Sequence, residues 1–185
     1  GFRSRPMDDI LREASILVKQ GVKELIITAQ DSSAYGRDLK TGRNISRLLR
    51  ELSAIEGIRW IRLLYAHPAS ITEELLETIA AEIKICKYLD MPVQHIDDGI
   101  LKTMNRRVTG ERIRKLIAWV RLAIPGVALR TSIIVGFPGE TRNVFGNLLE
   151  FVKEARFDHL GAFTYSKEEG TPAAELLSRI SQKEK

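Results

Sequence analysis

The sequence predicts an α/β fold on a parallel sheet, in the form of a partial TIM-like barrel, and three observations carry that expectation. Short strand-like runs alternate with segments of helical periodicity along the whole chain, the pattern of parallel strands joined by right-handed crossovers. Hydrogen-bonding residues gather just after those runs, at the carboxyl edge where parallel α/β folds hold ligands. The chain of 185 residues shows five such runs, too few for a closed eight-stranded barrel of about 250 residues.

A helical pattern opens the chain, with Pro6 suited to its first turn. The first strand-like run is Glu24–Ala29, and Ile45, Leu48, Leu49, Leu52 and Ile55 then recur at helical spacing. Trp60–Tyr65 reads as the next strand after Gly57, a helix-ending glycine. Thr72 is placed to cap a helix carrying Leu75, Leu76, Ile79 and Ala80, with Glu73 and Glu74 in its first turn. Tyr88–Val93 is the third strand, and Thr109 caps a helix carrying Ile113, Leu116, Ile117 and Val120. Gly126 precedes the run Ala128–Val135, whose β-branched residues stop at Gly136-Phe137-Pro138-Gly139 before a helix from Arg142. Leu160–Tyr165 is the last strand. Residues 1–177 read as one barrel domain, and Ser178–Lys185 as a polar tail. A chain that opens on a helix points to a barrel lacking its first strand, or to a piece of a longer protein. On that reading Glu24–Ala29 is an unprotected sheet edge.

A chain of this length buries a full core. No apolar run approaches a membrane span and no signal peptide is visible, so a soluble, cytoplasmic protein is expected. The single cysteine, Cys86, excludes an internal disulfide and a cysteine-based cluster made by this chain alone. It lies in an apolar stretch and reads as a buried thiol. The net charge of +5 is compatible with a nucleic-acid partner, but the Lys and Arg residues are scattered, as on solvated helix faces.

The candidate site residues follow the strands: Gln30, Asp31, Ser32, Ser33 and Tyr35; His67; Gln94 and His95; then Ser166, Glu168 and Glu169. Each has an ordinary reading as turn chemistry, and a lone histidine is usually a hydrogen-bonded structural residue. Four strands ending this way on one edge favour a ligand site. Arg130 and Thr131 within a buried strand require something polar to meet them, and Asp90 must be paired or face a cavity. Glu140 either favours the following helix N-terminus or holds the glycine loop through its backbone amides.

The blocks Gln30–Gly36 (QDSSAYG), Tyr88–His95 (YLDMPVQH), Arg130–Thr141 (RTSIIVGFPGET) and Tyr165–Ala173 (YSKEEGTPA) resemble the radical-SAM methylthiotransferases, in order and over nearly the whole chain. The first and last blocks resemble the branch that modifies a ribosomal protein. The resemblance implies a six-unit partial barrel, S-adenosylmethionine as cofactor, and two 4Fe–4S clusters whose ligands lie outside this chain. It implies reductive cleavage of S-adenosylmethionine and methylthiolation of the β-carbon of an aspartate in a small-subunit ribosomal protein. It places Gln30, Gln94, Arg130, Thr131, Gly136 and Phe137 around S-adenosylmethionine, with Arg130 as carboxylate clamp. It leaves Asp31, Ser32, Tyr35, His67, His95, Glu168 and Glu169 facing substrate. No catalytic cluster cysteine is present, so the chain alone is expected to be inactive. The alternatives are a tRNA adenosine methylthiotransferase, against which Glu168 and Glu169 argue because acids repel phosphate, and a non-enzymatic binding fragment.

Overall fold

The computed structural model describes residues 1–40, 42–176 and 180. Two compact units are present: Gly1–Met91 with Val120–Ala128, and Pro92–Trp119 with Leu129–Lys185. The expected boundary at residue 177 and the polar tail lie outside the described residues, apart from Ile180.

The first unit begins with α1 (Met7–Lys19), β1 (Glu24–Ile27), α2 (Ile45–Ala54), β2 (Trp60–Leu63), α3 (Glu73–Ala81) and β3 (Tyr88–Asp90). Pro6 stands just ahead of α1 rather than in its first turn, and its carbonyl accepts from the N–H groups of Asp9 and Ile10. The Asn44 side chain caps α2 through Arg47 N–H (2.9 Å), and the Thr72 hydroxyl caps α3 through Leu75 N–H (3.3 Å). β1 and β2 pair in parallel, with Leu25 opposite Ile61 and Ile27 opposite Leu63. On its other side β2 bridges Ile85 through Ile61, so β1 is the outer strand of its two-stranded sheet. The apolar spacing of α2 and α3 becomes the core: Leu49, Leu52, Ile61, Leu75, Leu76 and Ile79 are fully buried. Each such side chain contributes about 1.5–3 kcal/mol by leaving water.

The second unit contains α4 (Asp98–Thr103), most of α5 (Gly110–Ala123), β4 (Ala128–Val135), α6 (Arg142–Ala155) and β5 (His159–Thr164). The short α4 is too brief to show a period in the sequence; Asp97 caps it through Ile100 N–H (3.0 Å). Thr109 caps α5 through Arg112 N–H (3.3 Å), and Thr141 caps α6 through Val144 N–H (3.3 Å). A Cβ on Gly110 would lie 2.2 Å from Ile96 O, so only glycine fits there. β4 and β5 pair in parallel from Arg130–His159 to Val135–Thr164.

Four strands differ in extent from the sequence expectation, three of them shorter: β1 stops at Ile27, β2 at Leu63 and β3 at Asp90, while β5 starts one residue earlier and ends at Thr164. The reason lies in where the next backbone groups go. Tyr65 turns to φ +56° with its carbonyl accepting from Ser32 N–H, and Ala66 N–H donates to Asp90 O. Cys86 is half-buried rather than a core thiol. Ile85 beside it is the residue turned into the core, at 2% exposure, and successive side chains of extended chain point to opposite sides.

Candidate functional site

In the first unit the loops after β1 and β2 are tied together by one carboxylate. Asp31 accepts from Ser33 Oγ (2.5 Å) and Ser70 Oγ (2.6 Å), and more weakly from His67 N–H (3.3 Å). Ser33 Oγ accepts from the same His67 N–H (3.1 Å). His67 Nδ1 accepts from Ala69 N–H (3.1 Å), which makes the side chain a cap for the following turn. Asp90 is buried at 1% exposure and accepts from Tyr65 N–H through Oδ2 (3.3 Å); it is paired, as a strand acid must be. Gln30 is exposed, and Ser32 is buried with no hydrogen-bond partner for its hydroxyl. Tyr35 donates to Arg5 O (2.9 Å), and burial pushes its phenol above the usual range, with Arg43 acting in the opposite sense. Asp31, Ser32 and Tyr35 line an open pocket of about 370 Å³ whose apolar wall includes Leu25, Leu48 and Leu52.

In the second unit the segment after β3 and the end of β4 form the other cluster. Gln94 adopts φ +70°, with its N–H donating to Ser132 O (2.9 Å) and its carbonyl accepting from Ile134 N–H (2.8 Å). That clamp, in a left-handed conformation uncommon for glutamine, fixes the backbone from which its half-buried side chain projects. β4 separates two residues the sequence puts side by side. Leu129, Thr131 and Ile133 share the deeply buried face, while Arg130, Ser132 and Ile134 share the more open one. Thr131 is 0% exposed and its hydroxyl accepts from Val93 N–H (3.2 Å), standing in for a missing ladder bond. Arg130 and Thr131 therefore cannot both present side chains to one ligand.

Gly136, at φ +71°, turns the chain out of β4, and its N–H donates to Glu140 Oε2 (2.8 Å), while Glu140 N–H donates to Phe137 O (2.9 Å). Glu140 thus holds the loop through backbone amides. Phe137 is buried and meets Tyr165 edge-on, with ring centroids 5.1 Å apart; Tyr165 is itself held by Val135 O through its N–H and by Ala173 O through its hydroxyl. His95 is 0% exposed, and its Nδ1 accepts from Asp97 N–H (3.0 Å). Its Nε2 lies 3.8 Å from Glu140 Oε2, beyond hydrogen-bond distance. Glu168 and Glu169 are exposed beyond β5. Sequence reasoning missed Ser70 and Tyr165 as partners, because neither lies in a spaced pattern with the residue it touches.

A parallel α/β fold with ligand-sized clusters at its strand ends agrees with what the comparisons find. The sequence profile of the radical SAM superfamily matches residues 1–152; the chain belongs to that superfamily. Among solved structures, coproporphyrinogen III oxidase (HemN) from Escherichia coli, described as a radical SAM enzyme, superposes with a TM-score of 0.67 at 21% identity. The match covers 96% of this chain and 42% of that one. The radical S-adenosylmethionine methyltransferase TsrM from Kitasatospora setae superposes with a TM-score of 0.71 at 18% identity, over 92% of this chain and 31% of that one. At these identities the likeness concerns the fold, which is the radical-SAM partial barrel.

The nearer particular relatives are curated proteins named ribosomal protein uS12 methylthiotransferase RimO. That of Geobacter sulfurreducens is 56% identical over 184 residues, and that of Syntrophus aciditrophicus 55% identical over 183. The first match covers 100% of this chain but 41% of the relative. The chain spans well under half the length of the curated relatives it matches.

Proposed function

We propose that this chain is the barrel portion of a radical-SAM methylthiotransferase that modifies the β-carbon of an aspartate in ribosomal protein uS12. The observation that carries this reading is the 56% identity to a protein of that name along the whole chain. It favours the ribosomal substrate over tRNA and over a non-catalytic fragment.

S-adenosylmethionine is the cofactor of this reading, and the second unit's residues fit it. Arg130, on the more open face of β4, is the carboxylate clamp; a guanidinium matches a carboxylate bidentately. Gln94, held by two backbone bonds, directs an amide toward the ribose, and the Gly136–Phe137 backbone with Phe137 against Tyr165 supplies a dry wall for the adenine. Thr131 contributes by fixing Val93, two residues ahead of His95, rather than by touching the cofactor.

The 4Fe–4S clusters of this chemistry do not fit the residues present. A cluster requires several thiolates, and the sequence holds one cysteine. Among the described residues no group of three His, Cys, Asp or Glu side chains is placed to hold a metal ion. The proposed reading assigns their ligands to sequence outside this chain. Ligands elsewhere in the protein would hold the cluster, which would supply the electron for cleaving S-adenosylmethionine. The work of these barrel residues is to orient that molecule and exclude water.

The test is the full-length protein that carries this chain, reconstituted with iron and sulfide and given reductant, S-adenosylmethionine and uS12. Production of 5′-deoxyadenosine with a methylthio adduct on one uS12 aspartate is expected. An adduct on tRNA adenosine instead would overturn the substrate assignment while leaving the radical chemistry.

A further inference from the structure

The loop between α4 and α5 encloses an open pocket of about 560 Å³ lined by Asp98, Lys102, Asn105, Arg106, Arg107 and Arg112, with Val108 and Thr109. No cofactor or substrate role above uses these residues. Lys102, Arg107 and Arg112 are exposed, and none has a carboxylate partner among the described residues. The next cations along α5 differ: Arg114 pairs with Glu154 and Lys115 with Glu111. The single acid of the pocket, Asp98, is engaged, since its Oδ1 accepts from Gly110 N–H (2.7 Å). Three exposed cations lining one open space outweigh that single acid and make a field that attracts a polyanion. The pocket is also anchored next to the cofactor cluster, because the Arg106 guanidinium donates to Pro92 O, two residues before Gln94.

We propose that Lys102, Arg107 and Arg112 dock the phosphate backbone of small-subunit ribosomal RNA. The naming of that RNA rests on the ribosomal-protein reading above: a protein built into a ribosomal subunit is presented amid RNA, and an enzyme that reaches one of its aspartates meets phosphates on the way. Arg107 and Arg112 offer guanidinium forks and Lys102 a point charge, all of which suit phosphate; an acidic peptide is the poorer occupant, since the ribosomal reading supplies phosphates and no acidic protein. Phosphate contacts of this kind position without reading sequence. They set where the enzyme sits on the subunit, apart from the residues assigned to the protein substrate.

The test is binding of the full-length protein to purified small ribosomal subunits across a range of salt, compared with the triple variant Lys102→Gln/Arg107→Gln/Arg112→Gln. Each phosphate contact adds roughly 0.7 to the slope of log affinity against log salt for unpaired RNA. The variant is expected to lose about 2 from that slope and at least ten-fold in affinity at low salt. A control variant, Lys19→Gln/Lys23→Gln/Arg59→Gln, removes the same charge from exposed positions elsewhere and is expected to keep nearly all of the slope. Equal losses in the two variants would overturn the proposal, since net charge alone would then explain them. So would displacement by stoichiometric tRNA, or competition by inorganic phosphate at millimolar concentration with no affinity for subunits. Cleavage of S-adenosylmethionine by the triple variant, without subunits, is expected at the wild-type rate, and methylthiolation of isolated uS12 likewise. Loss of subunit binding with both activities intact isolates the docking site from the assigned chemistry; absent activity in the wild type would instead strike the functional reading alone.

Discussion

Replacing Asp31 by alanine tests whether the first cluster is scaffold or substrate contact. The carboxylate accepts two short hydroxyl bonds, from Ser33 and Ser70, both of which are buried, and one long amide bond from His67. Hydrogen bonds to a charged group contribute about 1.5–3 kcal/mol each. The two serine hydroxyls regain part of that by rotating to other acceptors, and Ser33 keeps its bond from His67 N–H. The net cost of Asp31→Ala is therefore about 2–4 kcal/mol, and the loops after β1 and β2 separate. Asp31→Asn keeps one acceptor oxygen and is expected to cost about half as much. For a protein of this size, 1 kcal/mol moves the melting temperature by roughly 2–4 °C, so Asp31→Ala is expected to melt about 5–15 °C lower by circular dichroism, with Asp31→Asn between. A variant that melts within about 1 °C of wild type, yet loses turnover in the full-length enzyme, would refute the argument and return Asp31 to a substrate-facing role.

Gly36 sits at φ +88°, and a Cβ there would lie 1.9 Å from Arg43 O; Gly36→Ala combines left-handed strain with a backbone clash and is expected to cost more than about 3 kcal/mol, measured by urea unfolding. Lys87 donates to the carbonyls of Ile79, Ala80 and Glu82 at the end of α3, so Lys87→Met, which orphans them, is expected to lose about 2 kcal/mol. Burial holds the Lys87 pKa below the usual lysine range, with Glu82 opposing. A folded-state pKa below the unfolded one makes the charged form unfavourable in the fold, so wild-type stability recovers as pH rises toward the ordinary lysine pKa, and the Met variant lacks that rise. Under the proposed function, Glu168→Lys with Glu169→Lys in the full-length protein is expected to slow uS12 modification at least ten-fold while S-adenosylmethionine cleavage stays near normal; an unchanged modification rate would make both acids bystanders. This chain alone, treated with iron and sulfide, is expected to show no thiolate-to-iron absorption band, because one thiol cannot hold a cluster.

The strand–helix alternation, the caps at Thr72 and Thr109, and the cores of α2 and α3 were legible in the linear sequence, because period and capping chemistry are local. So was the demand that Asp90 be paired, though not that the pairing donor is Tyr65 N–H. Strand ends were read too long at β1, β2 and β3: Tyr65 and Gln94 leave the extended region to make bonds with residues that are distant in sequence, and no window of neighbours carries that information.

Three facts about the blocks that carry the resemblance depend on the tertiary structure. Asp31 is the knot between two loops, His95 is wholly buried, and Thr131 faces the packed side of β4 while Arg130 faces the other. The alternation that separates Arg130 from Thr131 is a property of any strand, but which of the two faces is the dry one depends on what packs against it. Residue types and order by themselves determined the class of fold and the superfamily, since both are written in periodicity and motif. Tertiary structure alone decided which polar residues hold the loops together. A hydrogen bond is a matter of a few tenths of an ångström between groups that can lie dozens of residues apart.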